Sequence, residues 1–126
     1  MRRLPGSGSG SGERGLGPRG EARAAAYMVG KGMEILEVRY RRGRGEIDIV
    51  ARDGEVLVFC EVKTRATGEF GEPEQAIPLW KQDRIRRTAL AYLAEHGPAE
   101  RICRFDVAAL RSRGGRMEVN YITDAF

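Results

Sequence analysis

Two runs of alternating side-chain character, Glu46–Ala51 and Val56–Lys63, flank the pair Asp53-Gly54. Both are rich in the β-branched and aromatic residues that favour strands, and Asp-Gly is a preferred pair for a two-residue hairpin turn. With Asp53-Gly54 as the loop, Arg52 faces Glu55, Phe59 faces Asp48 and Glu61 faces Glu46. Successive side chains on a strand point to opposite faces. One face of the hairpin then carries Ile47, Ile49, Ala51, Val56, Val58, Cys60 and Val62. All are apolar, so that face belongs to a core. The other carries Glu46, Asp48, Val50, Leu57, Phe59, Glu61 and Lys63.

The rest of the chain supplies what such a hairpin packs against. Residues 1–18 read as a disordered arm, since an alternating Gly/Ser run follows Pro5-Gly6 and almost nothing apolar offsets the ordering entropy. A folded domain is expected over residues 19–126. Glu21–Val29 is alanine-rich and favours a helix with its acid in the first turn, stopped by Gly30 and Gly32. Met33–Tyr40 reads as a strand, and Arg41-Arg42-Gly43-Arg44-Gly45 as a basic loop. Thr64–Pro73 reads as a glycine-containing loop. Pro78 suits the first turn of a second helix. That helix should run to about Glu95, with Trp80, Ile85, Ala89, Tyr92 and Leu93 as its apolar stripe and Gly97-Pro98 as its end. Ile102–Leu110 and Met117–Ile122 read as closing strands. Helix, three strands, helix, two strands is the order of a small α/β domain, and 126 residues are enough for one core.

Composition narrows the class of function. No stretch approaches the roughly 20 apolar residues that span a bilayer; runs such as Val56–Cys60 are of strand length. Arg2 and Arg3 are followed by Gly and Ser, not by the apolar segment of a signal peptide. Two cysteines cannot build a disulfide scaffold, and with one histidine they offer too few ligands for zinc. A cytoplasmic protein with reduced thiols is the expectation. The formal charge is +4. Residues 1–45 hold ten Lys/Arg against four Asp/Glu, a net +6, and residues 46–126 hold twelve against fourteen, a net −2. That asymmetry suits an anionic partner acted on at a local acidic site; it also suits plain solubility charge with a basic tail.

The hairpin's polar face brings chemistry into view. In this register Asp48 and Glu61 are diagonal neighbours, roughly 7–8 Å apart, with Lys63 on the same face. Two carboxylates directed at one spot repel unless a cation lies between them. A divalent ion such as Mg²⁺ takes hard oxygen ligands, and a nearby lysine can orient a water or stabilise phosphate charge. These are the parts of metal-assisted phosphodiester hydrolysis. The competing reading is an exposed face of cross-strand Glu and Lys pairs worth little energy.

Gly45-Glu46-Ile47-Asp48-Ile49-Val50, the short turn, and Val58-Phe59-Cys60-Glu61-Val62-Lys63-Thr64-Arg65 resemble the signature of the PD-(D/E)xK restriction-endonuclease-like superfamily. More narrowly, the sequence is similar to the YraN-type family of small bacterial proteins, themselves similar to archaeal Holliday-junction resolvases. Gly20-Glu21, Ala24 and Tyr27 match the opening helix of that family. Lys81-Gln82, Ile85, Ala89 and Tyr92-Leu93 match its second helix, and Arg104-Phe105-Asp106-Val107 its fourth strand. The resemblance covers roughly residues 19–122. It implies a central mixed sheet flanked by helices. It further implies that Asp48, Glu61 and Glu21 bind Mg²⁺ or Mn²⁺ with help from the Val62 backbone carbonyl, and that Lys63 is the catalytic lysine. A homodimer making paired cuts in branched DNA follows from the same resemblance. Cys60 stands where the family usually has valine, and Ile47 where the superfamily nominally has proline.

Further residues carry two readings each. Arg39, Arg41, Arg42 and Arg44 precede the Asp48 strand and could hold phosphates or form an exposed basic loop. Lys81, Arg84 and Arg87 recur on one side of the second helix, flanking a nucleic-acid groove or facing solvent. Arg65 could reach a phosphate or pair with Glu69 or Glu72. Gln75 could lie near the site or cap a helix. His96 suits the C-terminal end of its helix. Trp80 reads as core or interface, and Asp106 as the partner of an arginine. The leading expectation is a metal-dependent endodeoxyribonuclease acting on branched DNA. The alternatives are a non-catalytic nucleic-acid-binding module of the same fold and an assembly factor using the charged hairpin face.

Overall fold

The hairpin folds as the middle of a five-stranded sheet. The structure is a computed structural model that describes residues 16–65, 77–97 and 101–126. Its elements are α1 (Leu16–Gly30), β1 (Glu34–Arg42), β2 (Gly45–Asp53), β3 (Val56–Arg65), α2 (Leu79–His96), β4 (Cys103–Arg113) and β5 (Arg116–Ile122). The spatial order is β1-β2-β3-β4-β5. All neighbours are antiparallel except β3 and β4, which are parallel. A parallel pair needs a crossover, and α2 is that crossover. The result is a mixed sheet with two helices in the order α-β-β-β-α-β-β, which matches an α/β nuclease-like core. Among the described residues no helix is long and apolar enough to cross a membrane.

Two apolar clusters lie against the sheet. Ala24, Ala25 and Met28 of α1 pack with Ile49, Ala51, Val58, Cys60, Ala108 and Leu110. Ile85, Ala89, Tyr92 and Leu93 of α2 pack with Tyr40, Ile47, Val50, Leu57 and Phe59. Both faces of β2 and β3 are therefore covered.

Several boundaries differ from the sequence reading. Helix α1 begins at Leu16, so Glu21 lies beyond its first turn, which holds no acid. The expected basic loop is largely strand: Arg41 and Arg42 end β1, and Gly43-Arg44 alone make the turn into β2. In the β2–β3 hairpin Asp53 pairs with Val56, so the loop is Gly54-Glu55 and not Asp53-Gly54. Gly54 takes φ 63, a conformation glycine adopts without steric cost. Trp80 is 59% exposed and does not join the core; the buried stripe of α2 is Ile85, Thr88, Ala89, Tyr92 and Leu93.

The largest departure is a reversal of faces inside β1 and β2. Ile49 packs on the α1 side and Ile47, two residues earlier, on the α2 side. Their partners do the same: Val38, opposite Ile49, belongs to the α1 side, and Tyr40, opposite Ile47, to the α2 side. Strict alternation would keep residues two apart on one face. The exchange happens at the positions between, Arg39 and Asp48, and Arg39 has φ 55. A non-glycine residue at positive φ is uncommon, and such strain collects at functional sites.

Candidate active site

Asp48 lies one residue past the last β2–β3 pair, Ile49↔Cys60. Glu61, one step beyond Cys60, lies near enough for its charge to act on Asp48, where the expected Asp53-Gly54 loop set the two on a diagonal. Here the Val62 N–H donates to Asp48 Oδ2 at 2.7 Å. The bond fixes the carboxylate against the backbone of β3. Burial pushes the Asp48 carboxyl well above the ordinary carboxylate range, and the charge of Glu61 pushes it further, with additions from Glu21 and Glu46. The Val62 N–H works the other way, because it favours the charged form.

Glu21 arrives from α1. Gly20 lets that helix press onto the sheet: a Cβ there would sit 2.7 Å from Thr64 Oγ1 and 3.1 Å from Leu110 Cδ1. The next residue is thereby held at the strand ends. Carboxylate oxygens of Glu21, Glu46 and Asp48 lie within 4.8 Å of one another. Glu46 was on the polar face of the expected hairpin, but its place in this cluster was not anticipated. It joins because β2 turns over at Asp48. Its side chain also accepts from Arg41 Nε at 3.2 Å.

Two cations already attend the acids. Arg39 Nε donates to Glu21 Oε1 at 2.8 Å, with both side chains less than one-fifth exposed. Arg39, grouped in the sequence with phosphate-contacting arginines, is thus the counter-charge of the acid cluster. Lys81 Nζ lies 2.7 Å from Glu61 Oε2, and Glu61 is buried. Lys81 therefore reaches into the site from α2. Lys63 follows Glu61 by two residues on β3 and is half-buried. Val62 is engaged through its N–H; the structure records that group, not the carbonyl, bound to Asp48.

The remaining candidates lie further out. Arg42 pairs with Glu95. Arg44 and Arg84 line a cleft beside α2, and the Arg84 guanidinium sits 5.1 Å from the centre of the Trp80 ring. Arg65 ends β3, and its side chain lies outside the described residues, as do Glu69, Glu72 and Gln75. His96 stacks on Tyr92 with ring centres 4.1 Å apart. Asp106 does pair with an arginine: it is fully buried and accepts from Arg104 Nε at 3.0 and 3.1 Å, Tyr121 Oη at 2.5 Å and the Asp124 N–H at 2.8 Å. Cys60 and Cys103 are free thiols, and burial pushes the Cys60 thiol well up, away from a reactive thiolate.

Comparison with known proteins places the sequence among relatives of one family. The profile of the uncharacterised protein family UPF0102 matches residues 20–110, from the glycine beneath Glu21 to the end of the buried stretch of β4. A UPF0102 protein of Anaeromyxobacter dehalogenans is 42% identical over 119 residues, which is 94% of this chain and 89% of that one. One from Prosthecochloris aestuarii is 46% identical over 88% of this chain and 92% of its own. One from Moorella thermoacetica is 50% identical over 75% and 78%. With the profile spanning residues 20–110 and relatives matching over most of their lengths, the chain belongs to the UPF0102 family.

Proposed function

We propose that this chain is a divalent-metal-dependent nuclease of the restriction-endonuclease-like type, hydrolysing phosphodiester bonds in branched DNA. The observation that carries the reading is the convergence of Glu21, Glu46 and Asp48 within 4.8 Å, beside the buried Glu61. Half-buried carboxylates pressed together repel, and a cation among them relieves the repulsion. Every donor is a hard oxygen, which suits Mg²⁺ or Mn²⁺. Asp48 and Glu21, with Glu46 and Glu61, are the residues to hold the ion, and the Val62 carbonyl is a further donor on the same strand. An ion bound there supplies Lewis-acid stabilisation of phosphate charge and lowers the pKa of water.

The chain's own groups supply the rest. The Val62 N–H holds Asp48 in one orientation. Lys63 carries an ammonium two residues beyond Glu61, suited to orient the attacking water or to neutralise phosphate charge. A homodimer would give two such sites for paired cuts.

One observation favours the alternative, a nucleic-acid-binding module that does not cut: Arg39 and Lys81 already neutralise Glu21 and Glu61. The deciding experiment compares labelled four-way junction, flap and linear duplex DNA with Mg²⁺, Mn²⁺ or EDTA, for wild type and Asp48→Ala. Metal-dependent cutting lost in the variant supports the nuclease. Binding without cutting by folded wild type supports the module.

A further inference from the structure

On the α2 side of the β1–β2 turn lies an open cleft of about 270 Å³, lined by Arg42, Arg44, Gly45, Arg84, Arg87 and Thr88. Four arginines thus line a volume just below that of ordinary ligand pockets. Among the described residues only Arg42 has a carboxylate partner, Glu95; Arg84 has a ring, Trp80. Like charges gathered this closely repel, and an anion relieves the repulsion. Planar guanidinium forks match the oxygens of a phosphate two at a time.

The backbone frame of the cleft is fixed, and its four arginines are exposed to solvent. Gly45 is buried, and a Cβ at that position would collide with Thr88 Oγ1. The turn is therefore pressed backbone-to-helix against α2, which sets the two arginine-bearing walls opposite each other. The Thr88 hydroxyl donates to the Arg84 carbonyl at 2.8 Å and so is committed to the helix. Fixed walls lower the ordering cost of binding.

We infer that this cleft is a phosphate-binding subsite that clamps a single phosphate group between Arg44 on the turn and Arg84 and Arg87 on α2. Its position identifies the source of the phosphate. Gly45 is followed directly by Glu46, and Asp48 is three residues along the same strand, a distance of about 10 Å at ~3.3 Å per residue. The cleft opens on the α2 side while Glu21 joins the cluster from α1, so a nucleic-acid strand that reaches both passes round the turned-over start of β2. The assignment to a strand rests on the nuclease reading; anion binding by the cleft does not.

The test measures binding in EDTA, so that cleavage plays no part. Affinity of the full chain for labelled duplex is followed by fluorescence anisotropy across a salt series, for wild type, Arg44→Ala, Arg87→Ala and the double variant. One clamped phosphate contributes about 0.9 to the slope of log K against log salt. Each single variant should lose close to that amount, and the double variant no more than either. Losses that add, one per arginine, would mean separate surface contacts and would overturn the clamp. An unchanged slope in all three would overturn the strand assignment. A parallel titration with inorganic phosphate, followed by amide NMR shifts, separates the sources. Saturable shifts at Gly45 and Thr88, with the slope unchanged, would assign the cleft to a free phosphate compound. No shifts and no slope change would remove the subsite altogether. Failure of the nuclease reading looks different: wild type that never cuts, with the slope loss still present.

Discussion

Arg39 Nε sits 2.8 Å from Glu21 Oε1, on a backbone with φ 55, where β1 and β2 exchange faces. The strain is spent on putting a guanidinium beside Glu21, Glu46 and Asp48, all of which raise its affinity for its proton. An ion entering the cluster competes with that guanidinium. Arg39→Ala should therefore lower stability in EDTA by about 1–3 kcal/mol, the range for losing a charged hydrogen bond with little exposure. It should also enlarge the rise in melting temperature on adding Mn²⁺. Paired thermal melts with and without the ion read both effects. A smaller metal-induced rise in the variant than in wild type would refute the competition.

The raised pKa of Asp48 sets a direction for pH dependence. Its folded-state pKa lies above the unfolded value, chiefly from burial and next from the charge of Glu61. Its contribution to stability is full below the unfolded pKa, near 3.9, and is lost as pH rises through the folded value. At pH 8 without metal, holding the Asp48 carboxyl in this site is a burden on the fold. Asp48→Asn keeps an oxygen for the Val62 N–H and removes the charge. The variant should be more stable than wild type at pH 8 in EDTA, by about 1–3 kcal/mol, while the gap closes towards pH 4. It should also have lost metal-dependent cleavage. Denaturant titrations at several pH values check this; a variant less stable than wild type at pH 8 would contradict it.

Asp106 makes a prediction that has nothing to do with metal. Its carboxylate is fully buried and takes donors from Arg104, Tyr121 and the Asp124 amide. Arg104 also reaches Asp53 at 3.0 Å, at the edge of the β2–β3 turn. Asp106→Ala strands a partly buried guanidinium and a partly buried hydroxyl. The loss should be roughly 3–5 kcal/mol, enough to lower the melting temperature by more than about 10 °C. Since the residue joins β4 to β5 and the chain end, metal should not rescue it. Thermal melts of Asp106→Ala and Asp106→Asn with and without Mn²⁺ decide the point: full rescue by the ion would tie Asp106 to the acid site.

The element order was legible because alternation and punctuation are local. Val56–Cys60 alternates between two apolar clusters, Gly97 stops α2, and both signals lie within a few residues. The membership of the acid cluster was not local. Counting by twos put Glu46 on the polar face with Asp48, yet it also put Ile47 with Ile49, and the reversal at Arg39 separates those two. Nothing in a strand pattern signals a positive φ at an arginine. The position of Glu21 depends on Gly20 meeting Thr64, 44 positions later in the sequence. Lys81 read as the flank of a nucleic-acid groove or as a solvent-facing member of a basic stripe, and its pairing with Glu61 depends on how the α2 crossover lies on the sheet. The hairpin register slipped for a simpler reason. Asp53-Gly54 and Gly54-Glu55 are both acceptable two-residue loops, and pairing of Asp53 with Val56 selects the second.

Lys63 offers the sharpest separation of binding from chemistry. It follows Glu61 by two residues on β3, is half-buried, and offers no carboxylate to an ion. Lys63→Met keeps much of the aliphatic stem and removes the ammonium. If the lysine orients water or neutralises developing phosphate charge, cleavage should fall by about 10²–10⁴-fold. Metal binding should persist, because the carboxylates are intact. Affinity for DNA in EDTA should change by no more than one phosphate contact, a salt slope smaller by at most about 0.9. Single-turnover cleavage, a Mn²⁺ titration and anisotropy on the same preparation separate these effects. Loss of metal binding in Lys63→Met would show that the lysine supports the ion site structurally, and undiminished cleavage would take it out of the reaction.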